Sequence, residues 1–393
     1  MKERIKQLAL QNFQYLSNTR RYIHQNPELS FNELNTQKFI INELNKIGLK
    51  PEKIAETGVQ ALLLSTNKSD KTIALRADID ALPVSELNEV SYRSVVNNVM
   101  HACGHDAHTA MLLGVAQILS DCKNSLKGNI KFIFQPAEEK LPGGALKMIE
   151  EGVLSSPEVN HVMAQHVFPD LPAGKVGFCS GNYMASTDEI YITVKGKGGH
   201  AATPWNIIDP VSISAQIITT LQQIISRKTP AFIPSVLSFG KFIANGATNV
   251  IPDAVNIEGT FRTFDENHRL EVHRLIHEIC KSTANGLQAQ AEVEIRKGYP
   301  VLYNDPQLTS NAMHYAADYF GSENVIELPP RMTSEDFSYY SLQKPSLFYR
   351  IGSASASKEN FPLHNARFDI DESCLQYGAG FMAYLTISEL NNE

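Results

Sequence analysis

The sequence predicts an α/β protein: a sheet-centred catalytic domain interrupted by a smaller, inserted α+β domain. Three observations lead there. Short apolar runs of strand length alternate with helical patterns in residues 1–185 and again in 298–393. Residues able to bind metal gather where those runs end. The stretch between, 186–297, reads β-α-β-β-α-β, the order of a ferredoxin-like split βαβ unit.

The chain in order bears this out element by element. Residues 1–48 read as two helices, with Leu8, Phe13, Leu16 and Ile23, then Phe39, Ile40, Leu44 and Ile47, at helical spacing. His24, in the break between them, reads as a structural helix-end histidine. Val59–Ser65 and Thr72–Leu75 read as strands, the second followed by Arg76, Asp78 and Asp80. Asn129–Gln135 is a strand followed by Pro136-Ala137-Glu138-Glu139, a Pro142-Gly143-Gly144 turn and a helix over Ala145–Glu151. Val159–Gln165 ends in His166, and Gly174–Phe178 follows. Within the insertion the spacing predicts strands at Glu189–Lys195, Ser235–Phe242, Val255–Arg262 and Ala291–Lys297, with helices at Ile208–Arg227 and Glu266–Ala284. The chain re-enters the first domain near Tyr299. A strand at Leu347–Ile351 and a helix from Asp371 to about Leu390 complete it.

The chemistry concentrates in Met100-His101-Ala102-Cys103-Gly104-His105-Asp106-Ala107-His108-Thr109, which holds three of the twelve histidines and one of the five cysteines. An apolar helical pattern follows directly, so the cluster opens a helix. Thiolate and imidazole suit zinc and related divalent ions, and Gly104 lets the backbone fold so that Cys103 and His105 reach one site. Asp80, Glu138/Glu139 and His166 each come after a predicted strand. In open α/β sheets ligands collect beyond the carboxyl ends of the strands, so one sheet can assemble all these groups. Of two adjacent glutamates, one can hold metal while its neighbour moves protons. Asp78 and Asp80 read as ligands, as hydrogen-bond partners for histidine, or as part of a solvated turn.

Composition narrows the function. The chain has 393 residues, enough for two domains, with 43% hydrophobic and 20% charged residues. Its formal net charge of −7 disfavours nucleic acid as a partner and favours small molecules or proteins. Five scattered cysteines do not form a disulfide framework. The charged amphipathic start is no signal h-region, and no apolar run reaches the roughly 20 residues of a membrane span. The expectation is a cytoplasmic protein without membrane contact.

These motifs resemble the M20 metallopeptidase/amidohydrolase family, in its aminoacylase-like branch of hippurate hydrolases, N-acetyldiaminopimelate deacetylases and auxin-conjugate hydrolases. The resemblance is carried by Arg76–Pro83, His101–Gly114, Phe134–Glu139, Gly199-His200-Ala201-Ala202, Asn249-Val250-Ile251-Pro252, Glu335-Asp336-Phe337 and Leu363-His364-Asn365. It implies a site for two divalent ions, Mn²⁺ or Zn²⁺ with Co²⁺ or Ni²⁺ also acceptable, held by Cys103, His105, Glu139, His166 and His364, with Cys103 bridging. It implies Glu138 as general base, Asp80 as an orienting residue, and His200 and Asn249 as substrate-binding or carbonyl-polarising groups. It makes the inserted domain a lid and homodimerisation domain. His101 and His108 are not ligands in the pattern. The expected activity is hydrolysis of N-acyl amino acids. The rivals are a dipeptidase or carboxypeptidase of the same family and a non-catalytic metal-binding homologue, against which retention of Glu138 argues. The chain departs from many relatives at Pro204-Trp205, where Pro-His is common, and at Pro345-Ser346, where Pro-Gly is common.

Overall fold

The computed structural model describes residues 1–67 and 70–392. Two compact units emerge: Met1–Tyr183 with Tyr303–Pro329 and Asp336–Glu393, and Met184–Leu302 with Pro330–Glu335. The chain thus re-enters the first unit at Tyr303, a few residues after the expected Tyr299, and Pro330–Glu335 belongs with the second.

The first unit is built on an eight-stranded mixed sheet. Its spatial order is Pro51–Ile54, Gly58–Leu63, Asn129–Gln135, Thr72–Asp78, His161–Pro172, Ser346–Ala354, Val176–Phe178 and Val325–Glu327. The central strands Asn129–Gln135, Thr72–Asp78, His161–Pro172 and Ser346–Ala354 run parallel, so their carboxyl ends lie on one side. These strands are buried almost throughout, as expected of parallel strands covered on both faces. Helix His105–Asp121 packs against Phe13–Gln25 and Ser373–Asn391. It is buried nearly all round, which explains its continuous apolar sequence.

Local differences from the sequence expectation have physical reasons. The first expected helix is two, Lys2–Gln11 and Phe13–Gln25. Asn12 relaxes to ψ −3° yet still donates to the Leu8 carbonyl and accepts from Leu16, so the break leaves the apolar stripe in phase. Thr72–Asp78 outruns its expected end at Leu75. Its charged residues neutralise each other inside the fold, Arg76 Nη1 lying 2.6 Å from Asp78 Oδ2. His161–Pro172 carries His166 inside the strand, not after it. Pairing with Thr72–Asp78 stops at Ala164, but Ser346–Ala354 continues alongside and sets Arg350 opposite His166.

The second unit has a four-stranded antiparallel sheet in the order Ser235–Ile243, Ala254–Thr263, Asp188–Lys195, Gln290–Lys297. Helices Pro210–Gln223 and Glu266–Gly286 complete the β-α-β-β-α-β order. The first starts at Pro210 instead of Ile208. Asp209 caps it by accepting from Val211 and Ser212, and proline suits the first helical position. Ile190, Ile192, Val194, Ile213, Ile217, Val255, Val272 and Ile276 form this unit's own core.

Candidate active site

Three loops and one strand of the first unit build the site. Gly104 caps helix His105–Asp121 at φ +84°, and a Cβ there would stand 2.4 Å from Val167 Cγ2. Only glycine fits, so Cys103 and His105 flank a turn no other residue could make as closely. Six residues expected from the sequence assemble here. Donor atoms of Cys103, His105 and His166 lie within 4.8 Å of one another, as do those of Cys103, Glu139 and His364, and those of His105, Glu138 and Glu139. Cys103 therefore stands in two donor groups at once.

Hydrogen bonding decides which nitrogen each histidine offers. His105 Nδ1 donates to the Asp80 carbonyl at 2.9 Å, leaving its buried Nε2 without a hydrogen-bond partner among the described residues. His166 Nδ1 donates to the Val167 carbonyl at 2.7 Å, and its Nε2 faces Cys103 Sγ at 3.5 Å. His364 adopts φ +67°, with its N–H on the Ala102 carbonyl, and places Nε2 3.3 Å from Glu139 Oε1. His108 is different. Its Nδ1 meets Asp78 Oδ1 at 2.6 Å and its Nε2 accepts the Val167 N–H at 2.9 Å, so no lone pair remains for a metal. Burial keeps its pKa below the usual histidine value. His101 is buried with neither ring nitrogen hydrogen-bonded to a described residue, and burial takes its pKa down to about 4.

The residues fit a metal centre by their chemistry. Soft thiolate, three imidazoles and carboxylate converge, and among the described residues the buried His105 Nε2 has no hydrogen-bond partner of its own. Burial pushes the Cys103 thiol up, with Glu139 adding to the effect. Hydrogen bonding to Cys103 and Glu139 pushes His364 up to about 10. Donors that hold protons in this way release them when a cation takes their place.

Asp80 organises the carboxylate loop. Its Oδ1 accepts from the Glu138 N–H at 3.1 Å, and its Oδ2 from the Glu139 N–H at 3.0 Å and Ser30 Oγ at 2.7 Å. Burial alone would raise its pKa, but hydrogen bonds from His105 and Ser30 outweigh it and hold the carboxyl ionised. Asp78 is kept well below the carboxylate range in the same way: burial opposes, and His105, His108 and Arg76 prevail. Arg76 bridges further to Asp336 at 2.8 Å.

His200 and Asn249 lie in the second unit. Strand Gly199–His200 pairs with Val250–Ile251, His200 opposite Val250, and the Asn249 carbonyl accepts the Ala201 N–H. His200 and Asn249 thus lie on neighbouring backbone segments of the same two-stranded pairing. His200 Nδ1 accepts the Ala202 N–H at 3.0 Å, which leaves Nε2–H as the outward donor. Trp205 is 77% exposed in the following turn.

Several residues escaped the sequence reading. Glu33 accepts the Ala137 N–H at 2.9 Å, directly before the two glutamates. Arg20 is fully buried and binds Asp106 at 2.7 Å and Asp369 at 2.8 Å. His24 joins them through Asp106 at 2.7 Å and Glu86 at 3.2 Å, a structural role. In the sequence these are ordinary charged residues of helices and turns, and no local pattern marks their burial.

The sequence model of peptidase family M20/M25/M40 matches residues 74–387. N-acetylcysteine deacetylase of Bacillus subtilis is 38% identical over 375 residues, covering 95% of this chain and 96% of its own. Thermostable carboxypeptidase 2 of Saccharolobus solfataricus is 38% identical over 378 residues, covering 95% of this chain and 94% of its own. The solved structure of the Bacillus subtilis YXEP protein, described as a dinuclear metal binding peptidase from the M20 family, matches with a TM-score of 0.83 at 34% identity. It covers 97% of this chain and 99% of its own. Motif, fold and donor set agree with these matches, and the chain belongs to peptidase family M20/M25/M40.

Proposed function

We infer that the protein is a metal-dependent amidohydrolase that cleaves the amide bond of N-acyl amino acids with an activated water. The observation that carries this is Cys103 standing in two donor groups, with Glu138 clustered beside His105 and Glu139. Two divalent ions would be held by Cys103, His105, Glu139, His166 and His364. When bound, such ions lower the pKa of water and polarise an amide carbonyl. The mixed thiolate, imidazole and carboxylate donors accept Zn²⁺ or Mn²⁺, and Co²⁺ or Ni²⁺ in their absence.

Glu138 is the general base. It takes the proton of the attacking water on a carboxylate oxygen and returns it to the leaving nitrogen. Glu139 is the ligand, and Asp80 orients both through their N–H groups while fixing the tautomer of His105. His200, through Nε2–H, donates to the carbonyl oxygen as negative charge develops there. Asn249 binds the substrate carboxylate beside it. We assign the inserted domain to homodimer formation, with His200 serving the partner subunit's site.

The deacetylase relative supports an N-acyl substrate, and the carboxypeptidase relative supports a second reading, cleavage of C-terminal peptide bonds. Metal-reconstituted protein assayed on N-acetyl and N-benzoyl amino acids against dipeptides separates them. Preference for the acyl amides is expected; faster turnover of dipeptides would replace the first reading with the second. Cys103→Ala should lose metal and activity together. No helix among the described residues is long and apolar enough to cross a membrane. The five cysteines are free and buried, which supports a cytoplasmic setting.

A further inference from the structure

Three consecutive backbone N–H groups, those of Ala137, Glu138 and Glu139, donate to two buried carboxylates. Asp80 takes the second and third, and Glu33 Oε1 takes the first at 2.9 Å. Ala137 sits at φ +51°, a left-handed conformation that a residue with a Cβ adopts only when its surroundings hold it there. The hold comes from both sides of the peptide. Glu33 takes the N–H, and the Ala137 carbonyl accepts from Gly144, where a Cβ would stand 1.8 Å from the Pro136 carbonyl oxygen.

Glu33 is itself fixed. Its side chain is wholly buried, its carbonyl accepts from Gln37 in the first turn of helix Leu34–Lys46, and Thr57 Oγ1 donates to Oε2 at 2.6 Å. Oε1 is thereby aimed at Ala137. We propose that Glu33 is a positioning residue for hydrolysis: by holding the Ala137 N–H it sets the left-handed turn that aims the Glu138 carboxylate. This rests on Glu138 being the general base.

The groups facing the Glu33 carboxyl are the Thr57 hydroxyl, the Ala137 N–H and the charge of Asp80. Burial, then Asp80, push its pKa up to about 7. Near neutral pH both forms occur, and in both Oε1 remains an acceptor, since Thr57 Oγ1 can accept from a protonated Oε2. What the turn requires is an acceptor at this point, not a charge. A glutamine carbonyl supplies one.

The test compares Glu33→Gln with Glu33→Met, which keeps volume and removes the acceptor, on the N-acyl amino acid the wild type turns over fastest. Glu33→Met should lose about 10–100-fold in kcat, the range for partners that orient site residues, with KM and bound metal unchanged. Glu33→Gln should stay within about 3-fold of wild type. Should Glu33→Met not fold, Glu33→Ala is expected to show the same split between kcat and KM. A wild-type kcat in the acceptor-free variant would overturn the proposal, and so would a Glu33→Gln variant as defective as Glu33→Met. Glu138→Gln is measured in parallel. If it keeps turnover, the general-base reading fails; if it is inactive while acceptor-free Glu33 variants are fully active, only the positioning role fails.

Discussion

Asp80 and Glu139 are joined through the backbone: the Asp80 carboxylate receives the Glu139 N–H at 3.0 Å while its own carbonyl receives Nδ1 of His105 at 2.9 Å. One residue thus orients an imidazole and a carboxylate that belong to the same donor cluster. Asp80→Ala should cost about 10–100-fold in metal affinity or activity, measured by metal content after dialysis and by kcat. Unchanged values in a folded variant would show that the loop keeps its shape without Asp80.

The adjacent glutamates should separate by function. Glu138→Gln is expected to retain metal and lose at least about 10²-fold in kcat, the lower end of general acid–base contributions. Glu139→Gln is expected to weaken metal binding. Elemental analysis and single-turnover rates on both variants check this, and the reverse pattern would exchange the two roles.

Stability depends on the buried cluster around Arg20 and Asp106, next to the Cys103–His105 turn. Arg20 binds Asp106 and Asp369, and Asp106 also holds His24. Arg20→Ala leaves Asp106 buried without its main cation and should destabilise the protein by about 3–5 kcal/mol. Chemical denaturation followed by circular dichroism reads this, and a change under about 1 kcal/mol would mean that His24 alone suffices.

Glu33 links stability to pH. Its folded pKa of about 7 lies above the ordinary 4.5. A raised acid favours the folded state fully below the ordinary value and loses that contribution as pH rises through the folded one. The stability of wild type minus that of Glu33→Gln should fall between pH 4.5 and about 7 and level off above. Melting of both proteins across this range tests it; a constant difference would show that Glu33 does not titrate there.

His200→Ala should raise the barrier by about 2.7–4 kcal/mol, as for loss of an oxyanion donor, with metal content unchanged. Mixing His200→Ala with Glu138→Gln subunits tests which subunit it serves. Service to the partner's site restores one complete site per mixed dimer and activity returns. If subunits exchange and no activity returns, His200 acts in its own subunit or not at all.

The sequence alone determined the α/β class, the β-α-β-β-α-β order of residues 186–297 and the candidate donors Cys103, His105, Glu138/Glu139 and His166. Each rests on something local: apolar period, glycine placement, or the position of a polar residue against a strand. His364 and the division of labour between Glu138 and Glu139 came from family resemblance, since no local pattern distinguishes them. Tertiary structure alone decided that His108 spends both nitrogens on Asp78 and Val167, that Thr72–Asp78 carries its charges inward, and that Glu33 reaches Ala137 across 104 positions. Arg20 and Asp369 meet across 349. A buried polar group is stable only beside its partner, and when that partner lies hundreds of residues away, nothing in the neighbouring sequence records the pairing.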